Sequence, residues 1–327
     1  MAIPSGLSAQ LGAGEETTYG TAATISRFFP FRTESLALDV QRMESTALRS
    51  GGRLLRADRW APGRRSVAGD VALEVETQGL GLWFKHALGG VTTDQPDASG
   101  APEVYRHRFA IGDLPTGLTV QVGRPDQAGT VHPYTYTGCR ISSWTLECQV
   151  DEIATLQLSL LGQDCTTATP LATATYPAGS SLLTWARGAI TLDGAELCVR
   201  SLSLQGTNGL AEDRYCLGNP LRRQPSEMAL REITGTLEVG FEDLALYQRF
   251  VQAAPDQPPA ELVVLLEGPT IAGTYRSHLQ ITAQVRIDAN TPVVGGAELL
   301  MQQVPIRVVD TGTASLVIEY QTTDTTP

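Results

Sequence analysis

Apolar residues alternate with polar ones in short runs along most of this 327-residue chain, and glycine, proline, aspartate and asparagine break the runs. A period of two puts the apolar set on one face of an extended strand, so the pattern commits the chain to half-buried β-structure. Such runs are Leu36 to Val40, Val71 to Val75, Ile141 to Val150, Ala154 to Leu161, Leu197 to Leu204 and Leu237 to Phe241. Leu262 to Leu266, His278 to Ile287, Val304 to Val309 and Ser315 to Tyr320 continue the series. Asp193-Gly194 is a hairpin signal, because a type I′ turn needs positive φ at both central positions. Two segments carry helical spacing instead, Gly79 to Leu88 and Asp243 to Ala254, and each follows a strand.

The two strand-to-helix units point to an internal repeat. At a shift of 166, Ser35-Leu36-Ala37-Leu38 falls on Ser201-Leu202-Ser203-Leu204 and Gly69 on Gly235. The same shift carries Val71, Leu73 and Val75 onto Leu237, Val239 and Phe241, Leu80 onto Leu246, and Phe84 onto Phe250, with no gap. A chain of 35.0 kDa has room for two cores. The expected domains are 1–165 and 182–327, joined by a Thr-, Ala-, Pro- and Gly-rich linker at 166–181.

Charge narrows the function. The formal net charge is -11, which argues against binding through phosphate neutralisation. Low charged content, 18%, favours a chain that buries surface in contacts with other chains. Lys85 is the only lysine among 24 basic residues. No cationic start precedes an apolar core at the N-terminus and no run approaches the length of a membrane helix, so we expect a soluble protein made in the cytoplasm, without membrane insertion. The five cysteines are odd in number and widely spaced, and read as reduced, mostly buried thiols.

Chemistry-bearing motifs are sparse. The four histidines have no HxxxH or HExxH spacing, no GxSxG elbow occurs, and Gly79-Leu80-Gly81 lacks the third glycine of a dinucleotide loop. No catalytic residue, metal site or cofactor is expected. Glu74 and Glu76 share one strand face and read as its solvated side rather than as an acid/base pair.

One cluster is asymmetric. Arg42, Arg49, Arg53, Arg56, Arg59, Arg64 and Arg65 lie in a stretch whose only acids are Glu44 and Asp58. A nucleic-acid patch, a solvated loop and an arm docking on an acidic neighbour compete for this pattern: the patch would need stacking aromatics and Trp60 is the only one, while Gly51-Gly52 and Pro62-Gly63 support a loop. We carry forward the arm, with Arg49, Arg53, Arg56, Arg59, Arg64 and Arg65 as its contacts. The corresponding stretch of the second copy is charge-balanced, so the two connections are expected to do different jobs.

Gly6-Leu7-Ser8-Ala9-Gln10-Leu11-Gly12, Glu15 to Thr21, Arg27-Phe28-Phe29-Pro30-Phe31 and Glu34-Ser35-Leu36 resemble the start of major tail tube proteins of siphophages. So do Arg49 to Gly52, Pro62 to Ser66, Gly69-Asp70-Val71 and Gly81 to Gly89. The resemblance is specific over residues 6–89. It implies an all-β fold with minor α: two tandem tail-tube-like β-sandwich domains, each with a flanking helix, whose sheets join those of neighbours into a ring-wide β-barrel. Six domains per ring then mean three chains per ring, trimeric but pseudo-hexameric. The implied role is a virion tail subunit assembled in the host cytoplasm, with partners in other copies of itself, a tape measure protein, a tail terminator and distal tail or baseplate proteins. Double-stranded DNA would pass an acidic channel without sticking, and Asp70, Glu74, Glu76, Glu238 and Glu242 are the lining candidates. The competing reading is a carbohydrate-binding, adhesin-like β-sandwich stacking sugar on Trp60, Trp83, Trp144 or Trp185.

Overall fold

The computed structural model describes residues 5–254, 257–289, 291–294, 296, 299–312 and 315–327. Its first half runs β1 (Gln10–Glu15), β2 (Arg27–Phe29), β3 (Thr33–Glu34), β4 (Ala37–Glu44), β5 (Trp60–Glu74), α1 (Gly81–Leu88), β6 (Gly89–Asp94), β7 (Tyr105–Ile111), β8 (Leu118–Pro125), β9 (Val131–Gln149), β10 (Thr155–Gly162) and β11 (Asp164–Thr166). The second half runs β12 (Gly188–Leu192), β13 (Ala195–Glu196), β14 (Val199–Thr207), β15 (Glu232–Gly240), α2 (Ala245–Val251), β16 (Ala260–Ala272), β17 (Tyr275–Ile287), β18 (Met301–Val308) and β19 (Leu316–Thr322). The fold is all-β with minor α, as the alternation demands.

Two antiparallel sheets face each other in each half. In the first, β2–β1–β8–β9–β11 forms one sheet and β4–β5–β10–β9 the other. β9 serves both because it turns at Gly138, whose φ is +64; a Cβ there would stand 2.8 Å from the Tyr19 ring. The pairing order recurs as β13–β12–β16–β17–β19 and β14–β15–β18–β17. Asp193 and Gly194, at φ 50 and 79, make the two-residue turn between β12 and β13.

The register corrects the gap-free shift of 166. Ala37 pairs with Ala68, whereas Gln205 pairs with Thr234, so the first strand of the hairpin is offset by 168 and the second by 166. A slip of two residues moves every side chain one pleat along and keeps its face, which is why the apolar pattern alone did not reveal it.

Two seams join the halves. β14 pairs with β9 from Ser201↔Gln149 to Thr207↔Ser143, making one sheet of β4–β5–β10–β9–β14–β15–β18. The β6–β7 hairpin, which has no counterpart among the described residues of the second half, lays β7 along β19 from Ala110↔Val317 to Tyr105↔Thr322. Beyond β19 the chain is tied to the turn ahead of α1 and to β2: Gly79 donates its N–H to Asp324 Oδ2 at 2.6 Å, and Arg27 reaches Thr326. The stretch from 167 to 181 is strapped down as well, through Gln121 to Pro170 and Ala172 and through Ser181 to Thr77.

The core lies between the sheets. Across the first seam the inward row reads Leu73, Leu156, Leu146, Leu204, Gly235 and Ile306. Its aliphatic side chains are all buried, each contributing about 1.5–3 kcal/mol. α1 is buried on most sides through Leu82, Trp83, Phe84 and Leu88. It is shorter than the Gly79 to Leu88 expected, and α2, which ends at Val251 rather than Ala254, has no fully buried residue.

Candidate functional site

The outward face of the seven-stranded sheet is polar. Because ladder partners share a face, its rows follow from the register. One row is Glu74, Thr155, Glu147, Ser203, Thr236 and Pro305; the next is Ala72, Gln157, Thr145, Gln205, Thr234 and Arg307. A third holds Asp70, Ser159, Ser143, Thr207 and Glu232, and a fourth Gln149, Ser201, Glu238 and Gln303. These rows contain no aromatic residue. Their acids are Asp70, Glu74, Glu147, Glu232 and Glu238; their single base, Arg307, is neutralised by Glu232 at 2.7 Å and by Asp288 at 3.3 Å. These four rows therefore form a hydroxyl and amide lawn with net negative charge.

Of the five acidic candidates, the fold brings Asp70, Glu74 and Glu238 onto this face. Asp70 accepts the Ser159 hydroxyl at 2.6 Å and Glu238 that of Ser201 at 3.1 Å. Glu76 lies past the end of β5, where the strand meets Leu182, and accepts the Ser180 hydroxyl. Glu242 is exposed beyond β15. Glu147 and Glu232 escaped the sequence reading; the period-two pattern of Thr145, Glu147 and Gln149 between Trp144, Leu146 and Cys148 was the signal for the first.

The arginine cluster divides. Every residue from Gln41 to Pro62 is exposed, with Arg49, Arg53, Arg56 and Arg59 among them, and Arg56 pairs with Asp58 on the same projection. Met43, Leu48, Leu54, Leu55 and Trp60 are exposed on the same projection, and Arg42 lies over the Trp60 ring. Arg64 and Arg65 do not project. Arg65 is ion-paired to Asp164 at 2.6 Å, and Arg64 stacks over Tyr215.

The connection between β14 and β15, residues 208–231, instead lies against the first half. Asn208 donates to Ala87 O and Ile141 O, Arg222 to Gly162 O, and Arg231 to Leu88 O and Gly112 O. Beneath it Arg140 is 7% exposed and donates to the carbonyls of Leu114, Pro115 and Pro225. Among the described residues no carboxylate bonds to its guanidinium; burial lowers its pKa, and carbonyl dipoles hold the charge.

Near the α1 terminus Glu15 accepts Lys85 Nζ at 2.7 Å and His86 Nε2 at 3.0 Å. The His86 hydrogen bond is the main cause that holds the Glu15 carboxyl down at about 2, with Lys85 assisting against burial. Burial pushes His86 down, so it donates as a neutral ring. Glu16 is buried and accepts N–H groups of Gly20 and Gly138 and the Thr119 hydroxyl; burial raises its pKa. Both carboxylates pin the loops around β1.

Trp83 and Trp144 are interior, at 0% and 3% exposure, and cannot stack on a sugar; Trp60 and Trp185 are partly exposed. Among the described residues no group of three or more His, Cys, Asp or Glu side chains is arranged to hold a metal ion, and no helix is long and apolar enough to cross a membrane. The cysteines are all free. Only Cys139 is buried, whereas Cys198 and Cys216 are exposed, which corrects the expectation of mostly buried thiols; both sit in or beside surface connections.

A family model described as phage tail tube protein matches residues 6–308. No curated protein matches the chain.

Proposed function

The chain belongs to the phage tail tube protein family, a structural component of the virion tail, and from that premise we propose that it is the major tube subunit of a long-tailed phage. In this reading it polymerises as stacked rings around the channel that delivers the genome. The observation that carries the reading is the β9–β14 seam. Within one chain the outer edge of β14 is occupied by β9, while the outer edge of β4, which holds the same place in the first half, has no partner strand among the described residues.

The hydrogen-bond phase agrees. Ser35 donates to Asp70 O, so alternation turns the N–H groups of Leu36, Leu38 and Val40 away from β5. On β14, Asn208 donates to Ser142 O, so Leu204, Gly206 and Asn208 face β9. The 168 offset superposes the two sets. Leu36 is already satisfied within the chain, its N–H by Glu34 and its carbonyl by Arg124 and Tyr136, so the open edge is that of Leu38 and Val40, and its phase invites the second half of another copy, which hides the edge by closure.

Two tail-tube-like domains per chain, 1–165 and 182–327, then give three chains and pseudo-sixfold symmetry per ring. The acidic hydroxyl face lines the channel, where Asp70, Glu74, Glu147 and Glu238 repel phosphate and let DNA slide. The tape measure protein would fill the same channel before DNA. A terminator and distal tail proteins would cap the open edges at the two ends, after assembly in the host cytoplasm.

Electron microscopy of the purified chain tests this. Rings or tubes with three chains per turn are expected, and the Val40→Pro variant, which removes one outward N–H without touching the β4–β5 ladder, should stay folded and unassembled. Six chains per ring would refute the two-domain stoichiometry; unimpaired tubes from Val40→Pro would refute edge pairing at β4.

A further inference from the structure

The surface that residues 208–231 cover on the first half has an open counterpart on the second. Ile141 pairs with Leu160 as Ile287 pairs with Ile306, so Arg286 stands on β17 where Arg140 stands on β9. Gln163 donates its backbone N–H to Thr137 O, just past β10, as Val309 does to Gln284 O just past β18. Around these positions the first half is closed by Asn208, Arg222 and Arg231. The second half has instead a cleft of about 250 Å³, lined by Ala253, Ala254, Pro258, Val285, Ile287 and Val309 with Asp310 alongside. The two arginines record the difference. Arg140 is buried under the connection, whereas the Arg286 side chain is 53% exposed and pairs with Asp288 at 2.6 Å.

One segment of the chain is topologically matched to that cleft. The covering connection joins β14 to β15, and the connection at the same place in the first half is the arm between β4 and β5, exposed along its whole length. It carries outward Leu48, Leu54 and Leu55, which suit walls of alanine, proline, valine and isoleucine; the charged lining does not oppose it, since Arg249 and Arg286 are already paired with Asp193 and Asp288 and Asp310 lies beside them. Within its own chain the arm emerges at the edge of the sheet opposite from β18 and β17, in the order β4–β5–β10–β9–β14–β15–β18. The occupant of the cleft is thus a second copy.

We infer that the β4–β5 arm of one copy seats in the cleft between α2 and β17 of the next copy, and buries Arg286 as residues 208–231 bury Arg140. This rests on the tube reading, and adds to it a second contact distinct from the β4 edge.

The test mixes two full-length populations, one carrying Leu54→Cys and the other Ala254→Cys, assembles them, and maps bismaleimide cross-links by mass spectrometry. Dicarbonyl modification of Arg286 is compared in unassembled and assembled wild-type protein, which needs no substitution. Tubes in which residues 54 and 254 cross-link between chains and Arg286 modification falls severalfold support the inference. Tubes in which Leu54→Cys cross-links elsewhere and Arg286 stays as reactive as in the free chain overturn it and leave the tube reading standing. Failure of wild-type protein to assemble under any condition defeats the tube reading and this inference with it.

Discussion

Gly206 lies opposite Trp144 across the β9–β14 seam, and the indole occupies the space where a side chain on residue 206 would begin: a Cβ there would stand 2.5 Å from Cε2. The tryptophan is buried and hemmed in by the seam, so it has no room to withdraw. The join between the halves is therefore a fitted core contact as well as a ladder of backbone hydrogen bonds.

Substituting Gly206→Val should cost about 1–3 kcal/mol through overpacking against the ring. Gly240→Ala, where an added Cβ meets nothing within 4 Å, is the control. Urea unfolding of the two variants reads the difference, and equal midpoints would dispose of the fitted-seam account.

Arg140→Leu should destabilise the chain by about 2–4 kcal/mol, because it leaves the buried carbonyls of Leu114, Pro115 and Pro225 without their donor. Proteolysis should then cut first within residues 208–231, the segment this arginine helps to hold. A variant that unfolds like wild type and resists protease there would show that the connection is held by other contacts.

Acid should loosen the β1–α1 contact. The Glu15 carboxyl titrates at about 2 in the fold against an ordinary 4.5, so its contribution is complete above 4.5 and is lost as pH falls from there through 2. The carboxylate is 44% exposed, which weakens the effect through solvent screening. Denaturation midpoints at pH 6, 4 and 3 should fall less steeply for Glu15→Gln than for wild type, and parallel slopes would contradict this assignment.

Reversing charge on the polar face separates assembly from conduction. Glu74→Lys with Glu147→Lys places two cations in one row, flanking Thr155. Tubes should still form, since neither residue touches a seam core. DNA release from virions carrying the pair should slow, and raising salt should restore it by screening the new contacts. Unchanged release at low salt would place this face outside the channel.

The alternation of apolar residues determined the strands from Leu36 onward that the sequence analysis named, which side of each is buried, and the all-β class, because a strand's faces are fixed by parity alone. It also placed Asp70, Glu74 and Glu238 opposite the core. The short strands β1 and β6 passed unmarked, since Gln10 to Glu15 and Gly89 to Asp94 carry little alternation to read; β8, where Leu118, Val120 and Val122 alternate with Thr119 and Gln121, was legible but not named. Tertiary structure alone decided the rest. The hairpin slip between the halves, the docking of β14 on β9 and the β7–β19 pairing all depend on which strand edges meet. Edges are made of backbone groups that every residue carries alike, so no side-chain pattern encodes their partners. The fate of the arginines was settled in the same way: Asp164 and Tyr215 hold Arg65 and Arg64 back, while Arg49, Arg53, Arg56 and Arg59 extend on an arm that the rest of the chain leaves uncovered.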